Sequence, residues 1–201
     1  MDLNEAITSG RLAWLVREDP SLASAKDEHG VSVLLLSRFH RNAEATAALI
    51  AAGAPVTALE AAALGEVELL EGADLSIRSG DGFTPLHLAA FFAGPRAVKA
   101  ILATGFPADA DAVNRFKVRP IHSAAAAGDN ESVAALLEAG ANPNVQQQGG
   151  YTPLHTAAHN NDRELVELLL RHGANPALAD DEGVTPRDMT TDESVRALFN
   201  P

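Results

Sequence analysis

The sequence predicts an all-α solenoid of about seven helix-turn-helix units carrying short β-hairpin fingers, and three observations predict it. First, Thr84-Pro85-Leu86-His87-Leu88-Ala89-Ala90 returns as Arg119-Pro120-Ile121-His122-Ser123-Ala124-Ala125 and as Thr152-Pro153-Leu154-His155-Thr156-Ala157-Ala158. An eroded copy stands at Thr185-Pro186, and the successive prolines are 35, 33 and 33 residues apart. A fixed period near 33 carrying T-P-L-H-x-A marks stacked helix pairs joined by β-turns. Second, Val98, Val133 and Val166 each lie 13 residues past a proline and are followed by Ile101/Leu102, Leu136/Leu137 and Leu169/Leu170, one face of an amphipathic helix. Third, Gly105, Gly140 and Gly173 close those helices, because glycine accepts the left-handed conformation past a helix C-terminus at little steric cost.

Each element follows in order from these anchors. Leu3 to Leu22, with Ala6, Ile7, Trp14, Leu15 and Val16, reads as a degenerate first unit. Gly30-Val31-Ser32-Val33-Leu34 stands where G-x-T-P-L belongs, and Leu49-Ile50 before Gly53-Ala54 is an outer helix with its cap. Ala61-Ala62-Ala63-Leu64-Gly65 reads as an inner helix, but only three residues separate Gly65 from Leu69-Leu70, against seven between Gly128 and Leu136-Leu137. That outer helix is expected to lack about a turn. Gly53 to Thr57 leaves little room for a finger, so the rim of the groove is expected to have a gap there. Pro85 fits the first turn of its helix, where a missing N–H is no loss, and Val195 to Phe199 reads as a clipped last unit. The expected units are 1–27, 28–53, 54–77, 78–112, 113–145, 146–178 and 179–201, forming one solenoid without a linker, with polar residues such as Asp2, Glu5, Asp188 and Glu193 facing out at its two ends.

With T-P-L-H-x-A at this period and the turns Gly140-Ala141-Asn142 and Gly173-Ala174-Asn175, the chain resembles ankyrin-repeat proteins. The motifs cover 78–186, and the Ala-rich, divergent repeats resemble small bacterial members of that family. The resemblance implies that His87, His122 and His155 form a structural ladder, each bonded to the turn of a neighbouring unit. It also implies a non-enzymatic module that binds a partner protein through the concave face, built from finger residues and from the inner-helix positions just after the Ala-Ala pair.

Composition narrows the classes. Zero Cys removes disulfides, thiolate catalysis and Cys-based zinc sites, and is compatible with a reducing compartment. The start Met1-Asp2-Leu3-Asn4-Glu5 has no basic n-region, and no apolar run approaches the ~20 residues of a membrane span. The expectation is a soluble, cytoplasmic protein without a membrane role. With 15 Lys+Arg against 27 Asp+Glu, a net charge of −12 argues against nucleic-acid binding, which relies on neutralising phosphates.

Catalytic chemistry finds little support. Histidines one repeat apart form a row and do not converge as zinc ligands must. His155 and His159 sit four apart, yet no carboxylate obviously joins them, and no G-x-S-x-G, P-loop, H-E-x-x-H or Gly-rich dinucleotide turn occurs. No metal and no cofactor is expected.

The groove positions are informative. In the fourth unit they are Arg78, Gly80, Asp81 and Phe83 on the finger, then Phe91 and Phe92. In the fifth they are Val113, Arg115, Phe116 and Val118, then Ala126 and Ala127. In the sixth they are Gln146, Gln148, Gly149 and Tyr151, then His159 and Asn160, and in the second Phe39 and His40. Five of the seven Phe and the sole Tyr therefore fall on the groove, where aromatic side chains serve as anchors at low rotamer cost. Phe91 or Phe92 packing against a neighbouring repeat is the alternative. In Arg115-Phe116-Lys117-Val118-Arg119 three of the fifteen cations occupy five residues, and strand-like alternation would set the basic and apolar side chains on opposite sides. Such a spot beside aromatics suits an acidic or phosphorylated segment, unless Arg119 bonds Asp109 or Asp111 within the chain. Overall, the sequence predicts a monomeric module binding through the groove of units four to six. Two other classes stay open, a small-ligand or enzyme pocket at Tyr151, His155 and His159 and a self-assembling structural protein.

Overall fold

Residues 2–109 and 116–199 are described by a computed structural model. Among them no strand is present, and the single β-bridge joins Lys26 and Ser32. The helices come in pairs: α1 (Leu3–Thr8) with α2 (Leu12–Glu18), and α3 (Val33–Phe39) with α4 (Ala43–Ala51). Next comes α5 (Ala58–Leu64), followed by a 3-10 turn at Val67–Leu69, and then α6 (Pro85–Leu88) with α7 (Pro95–Ala103). The last pairs are α8 (Pro120–Ala127) with α9 (Asn130–Glu138), α10 (Pro153–His159) with α11 (Arg163–Arg171), and α12 (Pro186–Met189) with α13 (Glu193–Arg196).

Alanine spacing explains how the inner helices approach. Ala61, Ala62 and Ala63, then Ala89 and Ala90, Ala124 and Ala125, and Ala157 and Ala158 are all buried. Their small side chains let α1, α3, α5, α6, α8, α10 and α12 pack one against the next. In the outer layer α2 packs on α4, and α7, α9, α11 and α13 pack in sequence. Between α4 and α7 that layer holds only the three residues Val67–Leu69, where α4, α7, α9 and α11 have nine residues each. The outer element at this place is a single 3-10 turn.

Capping sets most helix boundaries. Asn42, Asp129 and Asp162 accept from the amides of Ala45, Ser132 and Leu165 at 3.0, 3.0 and 2.9 Å, satisfying donors that a helix start leaves unpaired. Each follows a residue of positive φ: Arg41, Gly128 and Asn161. Ala93 holds that position in the fourth pair, where a Cβ disfavours the left-handed turn. Gly94 makes the turn one residue later at φ 84°, and α6 overruns into a π turn spanning Ala89–Ala93.

The connections expected as β-hairpin fingers are five-residue turns. The amides of Asp27, Ser79, Gln147 and Asp180 each donate at 2.9 Å to the carbonyl four residues on, and Gly30, Gly82, Gly150 and Gly183 donate back. The expected gap in the rim is closed. A Cβ on Gly80 would fall 1.9 Å from the main-chain oxygen of His29, so the turn after Arg78 rests directly on the turn before Val31. The absent third finger brings its two neighbours together, and a side-chain-free Gly80 permits the approach.

Candidate functional site

The histidine row comes first because its bonds set the site's floor. Nδ1 of His87, His122 and His155 accepts from the amide three residues earlier, at Thr84, Arg119 and Thr152, over 3.3, 3.0 and 3.1 Å. The ring proton is therefore on Nε2, which donates to the carbonyls of Val118, Val145 and Val184 at 3.0, 3.1 and 3.1 Å. Burial holds His122 down to about 4, beyond what its bonds to the Val145 and Tyr151 carbonyls oppose, and the Arg119 charge adds to the lowering. His155 is lowered too, again chiefly by burial. His122 and His155 are therefore neutral at pH 7, and all three rings have both nitrogens engaged. Glu60 holds the same helix position in the third pair, where it accepts from Thr57 through both main chain and hydroxyl. It reaches backward, to the Ser32 hydroxyl at 2.7 Å.

Above this row lies a cavity of about 260 Å³, walled by Phe39, Phe83, Phe91, Phe92 and Val118. His87, His122 and Leu88 form part of its lining, and Ser123, Ala126 and Gln147 complete it. The space exists because α8 presents Ser123 and Ala126 where α6 and the π turn after it present Leu88 and Phe91, so large side chains face small ones across the interface. Phe92 meets Phe91 edge-on at 4.8 Å and Phe39 at 5.2 Å, the geometry that ring quadrupoles favour. Arg38 covers the outer face of Phe92, with its guanidinium carbon 5.5 Å from the ring centre, and donates to the Phe92 carbonyl at 3.3 Å. Phe39 and Phe92 thus join the second and fourth units across the third. Both Phe91 and Phe92 are half-buried, and Phe92 also packs against the core.

The remaining expected site residues are placed differently. Phe83 sits at the base of its turn against His87, 5.6 Å between ring centres. Arg78 folds back on its own turn, donating to the Gly82 carbonyl at 3.3 Å. Tyr151 is half-buried with its ring packed edge-on to His155 at 5.8 Å, and His159 is exposed at the end of α10. Tyr151 thus meets a His155 that is buried in the ladder with both ring nitrogens engaged. Arg115 lies outside the described residues. The expected strand alternation fails at Lys117, whose φ is 53°. Phe116 and Lys117 are both exposed, and Val118 turns into the cavity. Arg119 reaches back to the main-chain oxygen of Asp109 at 2.6 Å, so its charge serves the fold. Among the described residues no group of three or more His, Asp or Glu is placed to hold a metal ion, and no helix is long and apolar enough to cross a membrane.

Sequence reasoning missed Arg38, Ser123 and Gln147. The small residue at the x of P-I-H-x-A-A in the fifth repeat, against Leu88 in the fourth, was the available signal for Ser123. Arg38 and Gln147 join the site only through the stacking of separate units, which one repeat does not reveal. A family model described as ankyrin repeats (3 copies) matches residues 58–147 and 121–190, more than half of the chain. The helix pairs, the histidine row and this match agree: the chain belongs to the ankyrin-repeat family.

Proposed function

We propose that the protein is a non-enzymatic protein-binding module that seats an apolar side chain of its partner in the cavity between α6 and α8. Ankyrin repeats generally mediate protein–protein interaction, and the observation that carries the finer reading is the convergence of Phe39, Phe83, Phe91 and Phe92 around unfilled space. Aromatic walls that leave a hole against Ala126 are the arrangement of a hot spot awaiting its knob. The partner segment is acidic on the side that passes exposed Lys117, with Arg115 two residues before it in the sequence and Phe116 as an outer apolar contact. The acting unit is a monomeric stack of all seven repeats in the cytoplasm, a setting with which the zero Cys count is compatible.

Ala126→Trp tests this by filling the cavity without changing charge. The variant is expected to fold and to weaken binding of a partner recovered with the native protein by more than tenfold, about 1.4 kcal/mol or more. Lys117→Glu should instead slow association and alter its salt dependence. Unchanged affinity in the folded Ala126→Trp protein rules the cavity out.

A further inference from the structure

The outer layer carries a second feature that the aromatic cavity does not account for. Where the third unit has a 3-10 turn in place of a helix, a notch of about 360 Å³ opens, lined by Val67, Leu70 and Ala100, with Glu68, Glu71 and Thr104 at its edge. The missing helix leaves apolar surface uncovered. Ile50 is 48% exposed, whereas Leu137, at the same place in α9, is 8% exposed, and Leu69 beside the notch is 55% exposed. Val56, in the same unit, is also exposed.

Charge says what would cover it. From Asn42 to Ile77 the chain has six acids, Glu44, Glu60, Glu66, Glu68, Glu71 and Asp74, and no Lys or Arg, so this stretch accounts for half of the −12 net charge. Glu68 pairs with Arg96 at 2.6 Å. Glu66 and Glu71 have no ion-pair partner among the described residues. The other cation on this part of α7 is Lys99, which leaves the rim negative. A second copy of this acidic chain would be repelled.

We propose that the notch docks a basic, apolar-striped helix from a partner protein. That helix occupies the place the third unit leaves empty in the outer layer, its apolar stripe covering Val67, Leu69 and Ala100 and its Lys or Arg side chains meeting Glu66 and Glu71. The site is separate from the cavity of the concave face.

A synthetic amphipathic Leu/Lys helix, titrated against the full chain, tests it beside a Leu/Glu helix with the same stripe. The basic peptide is expected to bind saturably and the acidic one at least tenfold more weakly. Ala100→Trp fills the notch at constant charge and is expected to weaken the basic peptide at least tenfold. Glu66→Gln combined with Glu71→Gln should weaken it and flatten its salt dependence, while the distant Glu182→Gln should change nothing. Should Ala100→Trp unfold, Glu71→Lys on the exposed rim takes its place with the same expectation. Equal binding to the notch-filled protein, or an equal loss with Glu182→Gln, would assign the affinity to general acidity and overturn the proposal. Loss of peptide binding in Ala126→Trp would overturn it too, by moving the peptide to the concave cavity, whereas failure of the cavity reading alone leaves the notch results unaffected.

Discussion

Units three and six show what one repeat length can become. In unit six, His155 donates forward to Val184 and α11 runs nine residues with Leu165, Val166 and Leu169 buried. In unit three, Glu60 holds the equivalent position but bonds backward to Ser32, and the outer helix is the three-residue turn Val67–Leu69. The forward bond requires a donor on the ladder residue, and a carboxylate has none. A single change of residue type therefore turns the direction of coupling around and leaves the boundary between units three and four without a ladder bond. Contacts from unit two to unit four compensate, at Phe39 with Phe92 and at Gly80 on His29.

The largest test of this contrast compares leucines. Leu136→Ala, in the fully buried core of α9, should cost about 2–5 kcal/mol, whereas the exposed Leu69→Ala should stay within about 0.5 kcal/mol. Equal losses in denaturant unfolding would mean that unit three is packed like its neighbours.

Acid separates the ladder from its replacement. An unfolded histidine titrates near 6.5 and native His122 at about 4. Between these values the unfolded chain binds a proton that the native chain does not, so stability falls as pH drops through that window. The loss is on the order of 3 kcal/mol, it is absent above the window, and His155 acts in the same direction. Unfolding midpoints of the native protein and His122→Gln at pH 7 and pH 4.5 check it, the variant losing less.

Gly80→Ala probes the closed rim. Its φ is not in the left-handed region, so the cost is the added methyl against the His29 carbonyl, about 1–3 kcal/mol. A neutral result would reopen the gap between the two turns. A smaller loss than at Gly80 is expected from Glu60→Gln, about 1 kcal/mol, because one of its two acceptor oxygens becomes a donor facing Thr57 or Ser32.

The repeat, its ladder and the short outer helix were legible in the sequence because each rests on local chemistry: T-P-L-H capping, the apolar spacing after Val98, and the count from Gly65 to Leu69. The aromatic clustering was legible as a bias of Phe toward groove positions. What lay beyond reach depends on neighbours. Phe91 faces a hole only because Ala126 is one repeat on, and Gly80 meets His29 only because a unit without a finger stands between them. Backbone handedness was the other limit. Alternation from Arg115 to Arg119 implies a strand, but Lys117 stands where other turns carry glycine and takes the same positive φ, which redirects Val118 into the cavity.

The contact across unit three changes how the stack responds to damage. A solenoid in which units touch only adjacent units behaves as a chain of nearest-neighbour couplings, where a weak link divides the whole into two independently fraying blocks. The Phe39–Phe92 and Gly80–His29 contacts add a coupling of second order that skips the weak link. Residues 28–109 should therefore open as one cooperative block in hydrogen exchange. An insertion in the loop from Gly53 to Thr57 would then do harm by forcing two surfaces out of register, acting like a spacer driven beneath an arch.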